Sequence, residues 1–560
     1  MIKEKQSRTI EWLIFMAYAV LLIVISYFHE PWYDEAEAWQ MARGASIHDL
    51  LFYIPHYEGH PSLWYLILAV PAKLGVPYEL GLKSIACFFA ILYGWLLIFR
   101  SPFPKVIKFS LPFQYFFFYQ YGIIARPYGL LILLFCLLAM AYKSRNEHPF
   151  RFVLPMILLC ALDGYGIVLS GGIAVAWLWE ILREKKRTGK LGTVLLDKRV
   201  WSLLVLLVLA ILVILQIMPR EDTYSTMQNS SNNSILLRLI YMFFVALPDC
   251  SVLTVLGCSV YLSKATIGVP MLLVGVLLGL IILFMIHCCS DGKNLLYFWI
   301  PYLFFGIFSS VVYICAHHIG ILLVFTIFWL WIAWETPGCF AALRWFWQKV
   351  KISEQDQKTL TKIGHLIIYL CIGVSLYWTI GTSVLEISQP YYYGKEVAEF
   401  LKTTGLDQTT IMAEYDVFLP ADSVENVYEY VNTELVAEPV AILPYYDDNI
   451  CRNLNMGSKE KGYALHRMPD AEENQRIMEE WKNMGAPDVI LGPMRLDLLF
   501  GDEVQMNDYV PVYEFNPYVG FWKAVPFVYN IVYKDYVYLR RDLLEQYGLQ
   551  EIPKNGEERF

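Results

Sequence analysis

Long uninterrupted runs of apolar residues occupy most of this sequence, and they restrict the folds that it can adopt. A run of about 20 apolar residues has the length of a helix that crosses the hydrocarbon core of a bilayer. Two runs are too long for a single crossing. In Phe152–Leu182, Asp163–Gly164 favours a turn, and in Ile235–Leu262, Pro248–Asp249 favours a break. The sequence therefore predicts an α-helical polytopic membrane protein with about 11–14 membrane segments. The runs are Ile10–Phe28, Pro61–Val76, Ser84–Phe99, Phe109–Ile124, Pro127–Tyr142, Phe152–Leu182, Val200–Met218, Ile235–Leu262, Val269–His287, Leu295–Cys315, Ile319–Trp334 and Ile363–Leu385.

The composition supports this fold class and excludes others. Of the 560 residues, 57% are hydrophobic and 17% are charged, whereas soluble proteins carry roughly 25% charged residues. A cytosolic enzyme and a nucleic-acid-binding chain are thereby excluded, so no nucleic-acid partner is expected. The eleven cysteines include no CxxC pair and no Cys/His zinc spacing, and only Cys451 falls in the soluble part described next.

The charged residues divide the chain into two parts. Residues 1–387 contain 29 Lys and Arg against 22 Asp and Glu, whereas residues 388–560 contain 15 against 30. We interpret the first part as a membrane domain and the second as an acidic soluble domain, with the boundary near Ser388–Pro390. Alternating helix-like and strand-like stretches predict that the second part is a small α/β domain. The predicted helices are Gly394–Thr403 and Ala471–Met484, and the predicted strands are Thr410–Ala413, Val440–Pro444, Asp488–Leu491, Val510–Phe515 and Val528–Leu539.

Lys and Arg residues in short loops predict the orientation, because such loops are retained in the cytoplasm. A multi-pass plasma-membrane protein is expected, with a cytoplasmic N-terminus, a retained first helix and an extracytoplasmic C-terminal domain. One segment conflicts with this scheme: simple alternation places Arg100–Lys108 outside, so a segment near it is expected to be half-length or re-entrant. The basic clusters assigned to the cytoplasm are Lys3, Lys5 and Arg8; Lys143, Arg145 and Arg151; Arg183–Arg199; and Arg344–Lys362.

The first external loop, residues 29–60, is the stretch richest in side chains that can do chemistry. It holds six carboxylates and four of the ten histidines, and it is expected to form amphipathic helices on the membrane surface. Asp34 has two interpretations: an N-cap whose capping box is completed by Glu37, or a general base just outside the hydrocarbon. Because neighbouring residues on a helix point about 100° apart, Asp34 and Glu35 are not expected to act as a pair.

Three further sites are expected to converge on the same face. His60 precedes Pro61, which suits the first turn of a membrane helix, so His60 could hold a phosphate oxygen there or be a plain interfacial residue. Arg126 stands at the outer start of another helix, where anion binding is favoured over simple snorkelling. The pair His317 and His318 starts a later helix, and phosphate contact or a polar helix start is favoured over metal binding.

At these residues the chain resembles the GT-C superfamily of membrane glycosyltransferases, which includes protein O-mannosyltransferases and lipid A aminoarabinose transferases. The resemblance covers most of residues 1–340 and does not extend to the C-terminal domain. Where the family usually has a second proline, this chain has Ser62. The resemblance is carried by Asp34-Glu35, by the helix start His60-Pro-Ser-Leu-Trp-Tyr65, by Ala125-Arg-Pro-Tyr128 and by His317-His318.

The resemblance implies an enzyme that transfers a sugar from a polyprenyl-phosphate donor to an acceptor on the external face, with inversion at the anomeric carbon. Membrane lipid is the other expected partner, and the sugar and the acceptor are left open. No cofactor is required, although the first two carboxylates of the loop could hold Mg²⁺ or Mn²⁺. Loop aromatics such as Trp39 or Tyr57 could stack on the sugar or anchor the loop at the interface. The implied residues are Asp34 as general base with Glu35 beside it, and His60, Arg126, His317 and His318 as phosphate ligands.

Two other functions remain open. A lipid or solute transporter, or a flippase, is expected to carry ionisable or helix-breaking residues in mid-membrane, often in related halves, whereas the ionisable residues here cluster at membrane ends. A non-catalytic envelope scaffold would use the acidic domain to bind a partner. The presence of Asp34, His60 and Arg126 weighs against the scaffold.

Overall fold

A computed structural model describes most of the chain, which is predominantly helical. A small sheet lies towards the C-terminus. The described residues are 2–223, 235–253, 269–289, 294–314, 316–336, 341–389, 391–415, 417–418, 430–431, 438–454, 462–518 and 533–554.

The apolar runs form helices that are numbered here in chain order. In α12, π-type turns alternate with α-helical turns. The helices are α1 (Ile2–Phe28), α2 (Tyr33–Gly44), α3 (Ile47–Phe52), α4 (Pro55–Glu58), α5 (Leu63–Lys73), α6 (Tyr78–Phe99), α7 (Lys105–Ser110), α8 (Tyr128–Tyr142), α9 (Pro149–Leu162), α10 (Gly164–Arg187), α11 (Lys198–Ile217), α12 (Ile235–Val252), α13 (Val269–Cys289), α14 (Leu296–Val311), α15 (Ile319–Glu335), α16 (Ala341–Lys349), α17 (Glu354–Ser388), α18 (Gly394–Thr404), α19 (Glu438–Ile442), α20 (Ala471–Asn483), α21 (Leu496–Phe500) and α22 (Leu544–Tyr547).

Seven helices in the described residues are long and apolar enough to cross a membrane: α1, α6, α10, α11, α12, α13 and α17. Their outward faces are apolar, and on α11 the side chains of Leu207, Val208 and Leu215 are exposed. Apolar surface of this extent is typical of lipid contact, since a soluble protein would bury it. The chain therefore has the architecture of a helical membrane protein. The count of 11–14 segments stays a prediction, because α5, α8, α9, α14 and α15 are shorter apolar helices.

The two longest apolar runs differ in how they fold. The run Phe152–Leu182 is divided as predicted into α9 and α10, and Asp163 between them accepts a hydrogen bond from the Tyr165 amide at 2.8 Å as the N-cap of α10. In the other run, the predicted break at Pro248–Asp249 is wrong, because π-type turns on both sides of the proline continue the helix. The end of that run lies outside the described residues.

Ion pairs and the contact between the rings of Phe103 and Trp334 (6.2 Å) bring three basic segments to one end of the helix bundle, called here the basic end. Among them is the segment Arg100–Lys108, which simple alternation had put at the opposite end. The opposite end carries residues 29–60 and is called the loop end. The pairs at the basic end are Lys108–Glu11 (2.6 Å), Lys143–Glu335 (3.3 Å), Arg145–Glu180 (2.9 Å) and Arg199–Glu184 (2.7 Å).

The position of α5 explains why Arg100–Lys108 lies at the basic end. With 11 residues, α5 is roughly 16 Å long, about half of the hydrocarbon core. Ser62 donates from Oγ to the Leu50 carbonyl at 2.6 Å, and Lys73 donates from Nζ to the Ala45 carbonyl at 2.6 Å. Both ends of α5 thus contact the first loop, as expected of a half-length segment that begins and ends on one side of the helix bundle.

Residues 111–124 run from the basic end to the loop end without a continuous α-helix. Short 3₁₀ and π-type turns at Leu111–Phe113 and Phe116–Gln120 take the place of a regular membrane helix. Irregular backbone is tolerated at membrane depth only where protein surrounds it. The side chains of this stretch are accordingly buried, with Tyr119 and Ile123 fully so.

The described part of the C-terminal region contains a four-stranded sheet in the order β1-β4-β6-β5 and a separate two-stranded ladder, β2-β3. β1 pairs parallel to β4, and the other neighbours in the larger sheet pair antiparallel. Both predicted helices are confirmed as α18 and α20. The predicted strand Val440–Pro444 is wrong: it forms α19 and a 3₁₀ turn, because periodicity cannot separate a short buried strand from a short buried helix. The start of the predicted strand Val528–Leu539 lies outside the described residues. The strands are β1 (Ile411–Ala413), β2 (Val417–Phe418), β3 (Tyr430–Val431), β4 (Val489–Leu491), β5 (Tyr509–Tyr518) and β6 (Tyr533–Arg540).

Two adjacent glycines of α10 provide a test of the packing between α10 and α14. A Cβ atom at Gly172 would lie 2.5 Å from the Cα of Pro301, whereas a Cβ atom at Gly171 would meet no heavy atom within 4 Å. We expect Gly172→Ala to lower the free energy of unfolding by about 1–3 kcal/mol, since backbone must move to relieve the overlap. Gly171→Ala is expected to leave it unchanged or to raise it by up to about 1 kcal/mol.

The measurement is the thermal unfolding midpoint of both variants in detergent, compared with the parent protein. Equal midpoints for the two variants would contradict the close approach of α10 to α14.

Candidate functional site

Asp34 faces Arg126 at the loop end of the bundle. Helix α2 begins at Tyr33 with Trp32 as its N-cap, so the N-cap interpretation of Asp34 is wrong, and Asp34 lies in the first turn. The Oδ2 atom of Asp34 is 3.2 Å from Nη2 of Arg126, and Nη1 of Arg126 donates to the Asp34 carbonyl at 3.1 Å. Burial raises the pKa of Asp34, and the charge of Arg126 opposes part of that rise. A carboxylate in this setting can accept a proton.

Glu35 is fully buried, and its two oxygens hold three partners. Oε2 accepts from the Trp32 amide and contacts Nε2 of His29, both at 3.0 Å, while Oε1 accepts from the Ala125 amide at 2.5 Å. Glu35 therefore makes the capping interaction that was predicted for Glu37. These contacts give Glu35 a structural role, and its catalytic role stays a prediction. A metal held jointly by Asp34 and Glu35 does not fit either, because both Glu35 oxygens are engaged within the protein.

His29 links Glu35 to the last membrane helix. Its Nδ1 atom lies 2.8 Å from Oε1 of Glu386 on α17, and Oε2 of Glu386 accepts from the Tyr119 hydroxyl at 2.5 Å. Burial alone would lower the pKa of His29, but the charges of Glu35 and Glu386 outweigh it and raise the pKa to about 10. The charged imidazole thus joins the first loop, the irregular segment and α17.

His60 lies beside Asp163, which caps α10 at the loop end. The distance between Nδ1 of His60 and Oδ2 of Asp163 is 4.0 Å. Burial and the charge of Arg126 lower the pKa of His60 to about 4, and burial raises the pKa of Asp163 to about 6. His60 is therefore neutral at pH 7, so it can offer a hydrogen bond to a phosphate but no positive charge.

His317 and His318 form a 3₁₀ turn directly before α15, also at the loop end. Their ring centroids are 4.1 Å apart, and the ring of His317 is 6.4 Å from that of Trp32 in the first loop. The Nδ1 atom of His318 lies 3.3 Å from the Tyr165 hydroxyl. Burial and neighbouring cationic groups lower the pKa of His318 well below its usual value, so its ring is neutral as well.

The first loop also meets the C-terminal region at a cluster that the sequence did not reveal. The Nδ1 atom of His466 lies 3.0 Å from both oxygens of Glu58 and 3.9 Å from Oε1 of Glu37. Burial raises the pKa of Glu37 to about 8. The spacing of Asp34 and Glu37, three residues apart on one helix, was a usable signal for part of the cluster. Nothing signalled His466, which is 408 residues from Glu58 along the chain.

A separate cavity of about 530 Å³ lies between α2, the turn from α5 to α6 and the C-terminal region, and Asp34 does not line it. The two aromatic residues proposed for sugar stacking are packed in the structure. Trp39 is 1% exposed and its ring lies 5.7 Å from that of Tyr78, while Tyr57 donates from its hydroxyl to Asp222 at 3.3 Å. The residues that line the 530 Å³ cavity include Trp39, Tyr78, Lys395, Lys402, Tyr445 and Tyr446.

Four groups at the loop end are suited to the predicted chemistry: Asp34 is a base, Arg126 is a permanent cation, and His60 and His318 are neutral imidazoles. Burial would lower the pKa of Arg126, but the charge of Asp34 outweighs it and keeps the guanidinium ionised. Such a set can take a proton from a hydroxyl and hold an anion beside it.

Neither the models of known protein families nor the curated proteins contain a match to this chain. The assignment of function therefore depends on this geometry and on the sequence motifs.

The buried pairs of His29 predict a specific pH dependence of stability. Because the pKa of His29 rises from 6.5 to about 10 on folding, its contribution is fully present below pH 6.5 and is lost as the pH rises through about 10. We expect His29→Gln to lower the unfolding midpoint most at pH 6, and the difference from the parent protein to shrink towards pH 10. His48→Gln, at an exposed histidine of the same loop, is the control. A difference that stays constant from pH 6 to pH 10 would contradict the charged state of His29.

Proposed function

We propose that this protein is a membrane glycosyltransferase with a GT-C-like fold. It transfers a sugar from a polyprenyl-phosphate donor to an acceptor at the external face of the plasma membrane, with inversion at the anomeric carbon. The proposal is carried by one observation, the direct pair between Asp34 and Arg126 at 3.2 Å. This pair puts a proton acceptor and an anion-binding group side by side at the end of the helix bundle.

The orientation of the bundle supports a reaction at the membrane surface. Positive-inside topology assigns the basic end, with Lys108, Lys143 and Arg145, to the cytoplasm. The loop end, with Asp34 and Arg126, then faces outwards together with the C-terminal region. A donor whose polyprenyl chain remains in the bilayer presents its phosphate and sugar at this level.

The proposed reaction is a single displacement. The oxygen of the acceptor hydroxyl forms a bond to the anomeric carbon, while the bond from that carbon to the phosphate oxygen breaks. The hydroxyl proton moves to Asp34, and the electron pair of the broken bond leaves with the polyprenyl phosphate. The guanidinium of Arg126, paired with Asp34 before the donor binds, contacts the phosphate as its negative charge grows.

The histidines support this reaction as neutral groups. His60 and His318 lie close enough to Arg126 for its charge to lower their pKa values. They can therefore donate hydrogen bonds to a phosphate or a sugar hydroxyl, and Arg126 supplies the positive charge. This division explains why a metal between Asp34 and Glu35 is unnecessary for the proposed step.

Replacing Asp34 tests the base. With purified protein and a panel of polyprenyl-phosphate sugars, we expect Asp34→Asn to lower the rate of polyprenyl phosphate release about 10²–10⁴-fold, because an amide cannot take the proton. The elution profile and unfolding midpoint should match those of the parent protein. Asp49→Asn, at an exposed carboxylate of the same loop, should retain the full rate. Undiminished release by Asp34→Asn would remove the proposed base, and movement of the lipid without release would favour transport.

Replacing Arg126 tests the anion site. Arg126 contacts both the carboxylate and the backbone carbonyl of Asp34, which a lysine ammonium cannot do with the same fork geometry. We expect Arg126→Lys to lower kcat/KM at least about tenfold and Arg126→Gln to lower it further, since one hydrogen bond to a charged group contributes about 1.5–3 kcal/mol. Arg145→Lys, which changes an ion pair at the basic end, is the matched control. Equal activity in Arg126→Gln and the control would contradict the role.

A further inference from the structure

Glu37, Glu58 and His466 bring three ligand-type side chains together from distant parts of the chain. Glu37 lies on α2, Glu58 ends α4, and His466 belongs to the C-terminal region. One ligand atom from each lies within 4.8 Å of the others. The carboxylate side chains are 8% and 4% exposed, whereas the imidazole is 29% exposed, so the cluster is shielded yet open to an ion from solution.

The distances suit a single small cation. Bonds of about 2.0–2.2 Å from nitrogen and oxygen ligands to one tetrahedral ion put the ligand atoms roughly 3.3–3.5 Å apart. The Nδ1 atom of His466 is 3.0 Å from Glu58 and 3.9 Å from Glu37, on either side of that spacing. Since the three ligand atoms lie within 4.8 Å of one another, side-chain shifts of about an ångström would complete such a site.

The charges of the cluster also favour a divalent cation. Glu37 and Glu58 offer carboxylate oxygens and His466 offers an imidazole nitrogen, and the Tyr33 hydroxyl also donates to Oε1 of Glu37 at 3.2 Å. A divalent ion with a neutral imidazole would balance both carboxylates.

A buried amide lies one turn along α2 from Glu37, on the helix that supplies this ligand. Gln40 follows Glu37 by three residues on α2 and is 1% exposed. Within the described part of the chain, neither its Oε1 nor its Nε2 has a hydrogen-bond partner. The side chain faces the 462–466 stretch that carries His466, because its Nε2 lies 3.8 Å from the Cβ position of Gly462. A buried amide in such a place usually binds a water or a ligand group.

We propose that Glu37, Glu58 and His466 bind one divalent cation of the zinc class, which fastens the C-terminal region to the first loop. An imidazole with two carboxylates suits Zn²⁺, whereas Mg²⁺ and Ca²⁺ prefer oxygen ligands alone. With three protein ligands, the fourth position of a tetrahedral ion is open to water. None of the three ligands has a role in the proposed transfer reaction, so ion binding and transfer can be measured separately.

Ion binding to the full-length protein tests the proposal. Protein in detergent is treated with a chelator, and Zn²⁺ is then titrated by calorimetry, with Co²⁺ absorption in the visible range as a readout of the ligand set. We expect one Zn²⁺ per chain, a tetrahedral Co²⁺ spectrum and a rise of several degrees in the unfolding midpoint. Glu58→Gln and His466→Gln should each weaken binding at least about tenfold, by analogy with the loss of one metal ligand. His48→Gln, at an exposed loop histidine, should bind as the parent protein does.

Several outcomes would overturn the site. Binding of Zn²⁺ that His466→Gln leaves unchanged would show that the ion sits elsewhere. Absence of stoichiometric binding, or equal binding of Mg²⁺ and Zn²⁺, would leave the cluster as a salt bridge between His466 and Glu58. If a glutamine variant fails to fold, the Co²⁺ spectrum of the parent protein still decides, because a weak octahedral spectrum would contradict a four-coordinate site.

Discussion

The buried carboxylate of Glu35 determines the geometry of the loop end. It binds the imidazole that follows α1, the amide that precedes α2 and the Ala125 amide that precedes α8. Leaving a buried carboxylate without such partners costs several kcal/mol, so these three segments are held in one arrangement. Because adjacent helical residues point about 100° apart, a Glu35 directed inwards turns Asp34 towards Arg126. The burial of Glu35 therefore positions the Asp34–Arg126 pair on which the proposed chemistry depends.

The same network reaches the last membrane helix and the C-terminal region. His29 carries the contact from Glu35 to Glu386 on α17, which leads directly into the soluble residues. The C-terminal region returns to the first loop through His466 at Glu58. The first loop thus contacts the helix bundle through His29 and the C-terminal region through Glu58. The C-terminal region follows the loop by more than three hundred residues along the chain. This double attachment fits a site that must exclude water around a developing charge.

Much of the architecture could be predicted from local patterns. Apolar runs predicted most of the helices, and Asp163 predicted the turn between α9 and α10. The run Phe109–Ile124 is an exception, because it forms only short 3₁₀ and π-type turns. The conflict at Arg100–Lys108 predicted a half-length or re-entrant segment, which the short α5 fits. Predictions that needed tertiary contacts were less successful. The capping role belonged to Glu35 rather than Glu37, because the Ala125 and His29 partners that select it come from elsewhere in the chain. The neutral state of His60 follows from burial, which spacing alone does not reveal.

The most direct test of the central claim is a structure of the full-length protein with a non-hydrolysable polyprenyl-phosphonate sugar bound. We expect the phosphonate oxygens to contact the guanidinium of Arg126, and Asp34 to face the anomeric carbon from the side opposite the phosphonate. A headgroup bound away from both residues, for instance in the cavity beside Trp39, with the Asp34–Arg126 pair undisturbed, would contradict it.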